Sequence, residues 1–243
     1  MTEDSTATAP PLVLIHGSGG SAAVWRHQTD ALTPLCRVVA MDLPGHGGRA
    51  PLATPSVDDY AADVEEQIQG SGLQCPIVGG HSLGGAIALT IALRGRVPID
   101  GLILVGTGAR LRVLPAILMG LLSDYRQAVE HVHDLGFSPS TSQGLVAESI
   151  ESTLTLPAEV THGDFSACDR FDAMTRLGEM DVPTLIVCGV EDRLTPLKYS
   201  EYFHRHIRES QLVTVERAGH FVQVEQPAAV NEAIRRFLRD RRS

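Results

Sequence analysis

One eight-residue stretch, Val78-Gly79-Gly80-His81-Ser82-Leu83-Gly84-Gly85, restricts this chain more than any other. The apolar pair Ile77-Val78 leads into it after Pro76, and a helix-like run, Ala86-Ile87-Ala88-Leu89-Thr90-Ile91-Ala92-Leu93, leaves it. Strand, tight turn and helix, in that order, is the setting in which G-x-S-x-G carries chemical meaning. The turn holds the serine in a strained conformation with its hydroxyl projecting above the sheet. Gly80 and Gly84, lacking side chains, let strand and helix come close. The helix N-terminus then faces the serine, where it favours developing negative charge. Without these flanks the stretch would be an ordinary Gly-rich turn that contains a serine.

The rest of the chain alternates in the same way. The apolar run at 12–15 reads as a further strand, continuous enough to be covered on both faces; 101–105 reads as another buried strand, and 37–42, 184–189 and 211–215 read as strands too. Between them lie helical patterns. Ser21 is placed to cap one carrying Ala22, Ala23, Val24, Trp25, Ala31 and Leu32. Ser56 is placed to cap another with Val57, Tyr60, Ala61, Val64 and Ile68, ending near Gly70. A last helix starts at about Pro227. The pattern predicts an α/β fold: βαβ units building a parallel sheet with helices on both faces. With 243 residues and 43% hydrophobic content, one such domain can bury a sizeable core.

One interval breaks the alternation. Leu111, Leu114, Leu118, Leu122, Tyr125, Val129, Val132 and Leu135 recur at roughly helical spacing, and Pro139, Pro157 and Gly163 punctuate the residues after them. The expected division is a core of 1–109 and 169–243, with a helical insertion over 110–168. Ordinary surface helices are the plainer reading, but the apolar content favours a lid over a greasy pocket. Residues 2–10 read as a short flexible arm.

A formal net charge of -9, from 20 basic and 29 acidic side chains, argues against a nucleic-acid partner. No apolar stretch reaches membrane-span length, and the polar, acidic N-terminus carries no secretory pattern. The cysteines Cys36, Cys75, Cys168 and Cys188 have no CxxC spacing; Cys75 and Cys188 are expected as buried free thiols in a cytoplasmic protein. His131/His133 and His204/His206 stand two apart on helices and cannot share a face, so no metal pair is expected. The Gly-rich run at 16–20 lacks both the G-x-G-x-x-G spacing of a dinucleotide site and the G-K-[ST] of a P-loop.

A serine hydroxyl needs a base, and the base needs an orienting carboxylate. His220, in Arg217-Ala218-Gly219-His220-Phe221 after the last strand, falls at the C-terminal edge of the sheet, where the Ser82 turn also opens. The loop after the 184–189 strand holds Asp192 and, as the alternative acid, Glu191; Thr195 before Pro196 is the better helix cap. His81 should point away from the serine, and His16 and His46 should structure loops.

Gly80-His81-Ser82-Leu83-Gly84-Gly85 resembles the nucleophile elbow of the α/β-hydrolase family, and the resemblance extends over residues 12–240. Ala218-Gly219-His220 resembles that family's histidine loop, and Asp192 matches its Gly-x-x-Asp acid position. His16-Gly17-Ser18-Gly19 resembles its HGxG loop, which implies that the amides of Ser18 and Leu83 bind the oxyanion. Only eleven residues precede Leu12, so the first one or two family strands should be missing, leaving about six parallel strands. The family commonly carries a cap where the helical insertion falls. The resemblance implies a serine hydrolase that cleaves a small-molecule carboxylic ester through Ser82, His220 and Asp192, with no cofactor and no metal. The lid suggests a small or medium apolar acyl group. Trp25, Leu111, Leu114, Leu118, Leu122 and Phe221 are pocket candidates, each of which could equally be plain core. The same scaffold also serves C–C bond hydrolases and lyases, thioesterases, perhydrolases and hydrolase-like small-molecule receptors.

Overall fold

The structure is a computed structural model that describes residues 9–241; most of the expected N-terminal arm lies outside the described residues. β1 (Leu12–Ile15) leads through a 3-10 turn (Ala22–Trp25) into α1 (Arg26–Leu32) and β2 (Val38–Met41). α2 (Val57–Gly70), β3 (Ile77–His81), α3 (Leu83–Arg94) and β4 (Gly101–Val105) follow. Four helices come next: α4 (Pro115–Ser123), α5 (Tyr125–Gly136), α6 (Gln143–Leu154) and α7 (Ala158–Arg170). The chain then returns through β5 (Thr184–Gly189), α8 (Leu197–His206), β6 (Ser210–Val215), α9 (Val222–Glu225) and α10 (Pro227–Asp240).

The six strands form one sheet in the order β2-β1-β3-β4-β5-β6, every pairing parallel. Among the described residues the strands number six, as expected. Alternation along each strand sends side chains to two cores. Val13, Ile15, Val78 and Leu104 meet Tyr60 and Val64 of α2 and Ile87 of α3 on one face. Leu12, Leu14, Ile103 and Val105 meet Trp25, Leu32, Ile234 and Phe237 on the other. Each fully buried Leu or Ile contributes about 1.5–3 kcal/mol relative to exposure, so the doubly covered central strands anchor the fold.

Local signals explain most boundaries and fail at a few. The Ser56 side chain accepts from Asp59 N–H while the Asp59 carboxylate accepts from Ser56 N–H, a reciprocal capping box that starts α2. Ser21 makes no such bond; the amide of Ala22 donates instead to Asp42 Oδ1 at 2.7 Å, from the loop after β2. A tertiary carboxylate has taken the place of a local cap. Gly163 does not break its helix: it sits inside α7, where a Cβ would come within 3.1 Å of Pro55. α7 runs on to Arg170, and residues 111–114 are not helical. Cys75 is exposed rather than buried, while Cys168 and Cys188 are buried free thiols and Cys36 is buried. Among the described residues no helix is long and apolar enough to cross a membrane.

The strand order positions the chemistry. From β1 the chain goes outward to β2, then returns to place β3 on the other side of β1. The crevice at the carboxyl ends of β1 and β3 is therefore the topological switch point, where open α/β sheets bind ligands. The His16–Gly20 loop leaves β1 there, and Ser82 leaves β3 beside it. Helices α4 and α5 pack on each other, with Ile117, Leu121, Val129 and Val132 forming a small core of their own.

Candidate active site

Ser82 has φ 53 and ψ -116, a conformation that costs a non-glycine residue about 1–3 kcal/mol. The surroundings hold it there. Its N–H donates to Val105 O at 3.0 Å, and its carbonyl accepts from Gly85 N–H, Ala86 N–H and the Thr107 hydroxyl. The two motif glycines are sterically required: a Cβ on Gly80 would overlap Gly84 O, and one on Gly84 would overlap the carbonyls of Ile15 and His16. The turn thus packs strand, helix and the β1 loop at backbone contact.

The His16–Gly20 loop lies directly against Ser82, since a Cβ on Gly17 would approach Ser82 Cβ to 3.1 Å. His16 shapes this loop. Its Nδ1–H donates to Gly17 O at 2.8 Å and its Nε2 accepts from Leu43 N–H at 3.1 Å. Burial, helped by the neighbouring His46, lowers the His16 pKa to about 4, which keeps the ring neutral and able to accept. Ser18 shares a cavity of about 280 Å3 with Ser82 and His220.

His220 and Asp192 are both buried and in contact. His220 Nδ1 lies 2.9 Å from Asp192 Oδ2. Burial opposes a charged Asp192, but the adjacent His220 and the Thr195 amide and hydroxyl outweigh it and hold the carboxyl at about 2. Asp192 Oδ1 accepts from the amides of Leu194 and Thr195, and Oδ2 accepts from the Thr195 hydroxyl at 2.7 Å. That hydroxyl also lies 3.2 Å from His220 Nδ1. Thr195 therefore does not cap α8, whose N-terminus at Pro196 has no side-chain cap; its hydroxyl bridges Asp192 and His220. Glu191 Oε2 instead accepts from the Ser138 hydroxyl at 2.6 Å.

Among the described residues no hydrogen bond joins the Ser82 hydroxyl to the His220 ring. Both line the same cavity, and such contacts are often long in unliganded enzymes and tighten only with substrate. His81, expected to point away from the serine, lines the same cavity as Ser82 and His220, and its Nε2–H donates to His220 O at 2.9 Å. The His220 loop is held further by His220 N–H to Gly136 O at 2.6 Å, and by Gly219 N–H to Glu225 Oε1 at 2.9 Å. His131, His204 and His206 lie on the surface, whereas His133 is buried between Val129 O and Ser149 and stacks on Phe221.

The pocket candidates divide. Leu111, Leu114 and Phe221 line the cavity, joined by Ile117, Leu135 and Phe165. Trp25 does not; it is fully buried in the core beneath the sheet. Leu118 and Leu122 also lie off the cavity, Leu122 being 57% exposed. Helical periodicity gave the apolar side of α4 but not which part of it meets the crevice. Thr195 and His81 are the supporting residues that motif reading undervalued. Asp192-x-x-Thr195 is a local turn signature that points to the first; nothing local points to the second. Among the described residues no group of three or more His, Cys, Asp or Glu converges as a metal site.

The Asp192 pair also ties stability to pH. Its carboxyl titrates lower in the folded protein than in the unfolded chain, so the native state resists protonation. The stabilisation is complete above about pH 4, at about 2 kcal/mol, and is lost as the pH falls toward 2. Urea unfolding at pH 6 and pH 3 should show a smaller acid loss for Asp192→Asn than for the parent; equal losses would contradict it.

The family model for the alpha/beta hydrolase family matches residues 12–233. A pimeloyl-[acyl-carrier protein] methyl ester esterase of Neisseria meningitidis serogroup C is 34% identical over 227 residues, covering 85% of each chain. A namesake from Nitrosomonas europaea is 25% identical over 234 residues, covering 89% of this chain and 91% of that one. Among solved structures, a thermophilic esterase superposes with a TM-score of 0.84 at 38% identity, over 95% of this chain and 90% of the other. A thermophilic esterase from Thermogutta terrifontis gives a TM-score of 0.88 at 26% identity, over 98% and 92%.

Proposed function

The chain belongs to the α/β-hydrolase family, and from that premise we propose that it is a serine carboxylesterase working through Ser82, His220 and Asp192. The observation that carries this reading is the buried His220–Asp192 contact opening on the same cavity as the strained Ser82. Kinship to methyl ester esterases and to a thermophilic esterase supports ester hydrolysis as the reaction.

In this mechanism the Ser82 hydroxyl attacks the acyl carbonyl as His220 takes its proton. Asp192 holds the imidazole by its Nδ1 side and stabilises the imidazolium that forms. The amides of Ser18 and Leu83 receive the oxyanion; such donors matter most because they are in place before charge develops. The imidazolium protonates the departing alcohol, leaving an acyl-Ser82. A water that gives its proton to His220 then releases the acid. Residues 110–168 act as the cap: Leu114 and Ile117 close the cavity from above, and Phe165 reaches in from α7. A chamber of about 280 Å3 with apolar walls suits an acyl chain of small to medium length. A second chamber of about 170 Å3 shares Ser18, Val132, Phe165 and Phe221 with the first.

Purified protein given p-nitrophenyl esters and methyl esters of graded acyl length tests this. Steady turnover should peak at a small or medium chain. A single slow turnover on every ester, or activity confined to thioesters, would overturn it.

A further inference from the structure

Asp164 is a fully buried carboxylate that the hydrolytic chemistry does not use. It lies on α7, the helix of the cap that crosses the β1 loop. Its Oδ2 accepts from Gly19 N–H at 2.9 Å, and its Oδ1 accepts from the Tyr60 hydroxyl at 2.6 Å. His46 Nε2 stands 3.1 Å from Oδ2, at ion-pair distance though not aligned as a hydrogen bond. His46 Nδ1 donates to Pro44 O, so an ionised Asp164 favours a proton on the second ring nitrogen too. Burial opposes charge on His46, but Asp164, with Pro44 O and Asp42, more than offsets it and raises the pKa.

The placement is not an isolated contact. Thr161, Asp164 and Cys168 stand at i, i+3 and i+7, one face of α7, and all three meet the same loop. A Cβ on Gly19 would touch Thr161 Cγ2 at 3.3 Å, Asp164 takes the Gly19 amide, and Cys168 Sγ lies 3.5 Å from Ser18 Oγ. Gly19 itself has φ 65, a left-handed conformation that turns the loop just after Ser18. Whatever fixes the amide of Gly19 fixes the peptide plane between Ser18 and Gly19, so that only the φ and ψ of Ser18 separate a held plane from the Ser18 N–H.

We propose that Asp164 is a positioning residue for the oxyanion donor: a cap carboxylate, held by Tyr60 and His46, that clamps the Ser18–Gly19 peptide and so makes oxyanion binding depend on the seating of α7. This rests on the serine-esterase reading. Unlike a residue that only shapes the pocket, Asp164 acts on the transition state. Its loss lowers kcat and spares ground-state binding.

The test uses Asp164→Ala, Asp164→Asn and Tyr60→Phe in the full chain, with p-nitrophenyl butyrate as substrate and a short alkyl trifluoromethyl ketone as inhibitor. The ketone adds to the serine and generates the oxyanion; the ester's KM reports ground-state binding. Outright loss of one oxyanion donor costs about 10²–10³ in kcat. A misaimed donor should cost Asp164→Ala about 10–100-fold in kcat and in ketone affinity, with KM within about twofold. Asp164→Asn should recover part of both, because its carbonyl can still accept from Gly19. A folded Asp164→Ala with wild-type kcat, a loss carried by KM alone, or unchanged ketone affinity would overturn the inference. If Asp164→Ala does not fold, Asp164→Asn and Tyr60→Phe decide: wild-type kcat and ketone affinity in both would overturn it. A wild-type protein that fails to turn over the ester removes the esterase reading itself. Turnover that is indifferent to position 164 removes only the clamp.

Discussion

Alanine at position 82 should give a protein that unfolds like its parent, takes up no fluorophosphonate probe and hydrolyses p-nitrophenyl butyrate about 10⁴–10⁶-fold more slowly. The fold should survive because the elbow is held through the backbone. Val105 O accepts from the residue's amide, and its own carbonyl accepts from Gly85, Ala86 and Thr107 whatever the side chain is. The chemistry should not survive, because His220 and Asp192 would have no nucleophile to activate. Residual activity above the uncatalysed rate should persist, since the Ser18 and Leu83 amides still face the carbonyl and can assist direct attack by water. Intact-mass spectrometry after probe treatment, beside steady-state kinetics and a urea curve, measures all three. Persistent labelling, or turnover within tenfold of the parent, would move the nucleophile elsewhere.

How much of this was legible depended on the range of the interaction. The strands and the elbow were readable because four to six consecutive apolar residues, or two glycines around a serine, encode local geometry that tertiary context has no reason to override. The start of α2 was readable because its cap lies within three residues of it. The start of the first helical segment was not, because Asp42, twenty residues on, supplies the acceptor that Ser21 was expected to provide. Trp25 shows a second limit. Its apolarity demanded burial, and a position close after the β1 loop made pocket and core equally good destinations; only the packing of α1 and α10 beneath the sheet sends it to the core. Asp164 shows the third. A single acid on an amphipathic helix reads as a solvated residue, and nothing in its neighbours announces the Gly19 amide 145 positions away. Thr195, by contrast, was within reach. The three-residue step from Asp192 is short enough for its amide to close back on the carboxylate, and assigning it to the next helix overlooked the nearer partner.

Asparagine at position 192 should lower kcat by about 10³–10⁴-fold, while Gln at position 191 should leave it within about threefold. The two side chains are neighbours in sequence but not in function. Asp192 Oδ2 accepts a hydrogen bond from His220 Nδ1–H, which leaves Nε2 free to accept from the serine. An asparagine that presents its amide nitrogen there offers a donor to a donor, and favours the tautomer with the proton on the wrong nitrogen. If it presents its oxygen instead, the orientation is kept but the charge that stabilises the imidazolium is gone, so either rotamer is costly. Glu191 faces Ser138, between α5 and α6, and glutamine can still accept that hydroxyl. Thr195→Ala separates orientation from charge. It removes the hydroxyl shared by Asp192 and His220 but leaves both amide contacts to Oδ1, so its loss should fall between the other two, at about 10–50-fold in kcat. The order follows contact with Nδ1, which Asp192 Oδ2 meets at 2.9 Å and the Thr195 hydroxyl at 3.2 Å, whereas Glu191 bonds to Ser138. A variant at 191 more damaging than one at 192 would mean that the acid reaches the base from the cap side, and would require the 189–196 loop to adopt another course in the working enzyme.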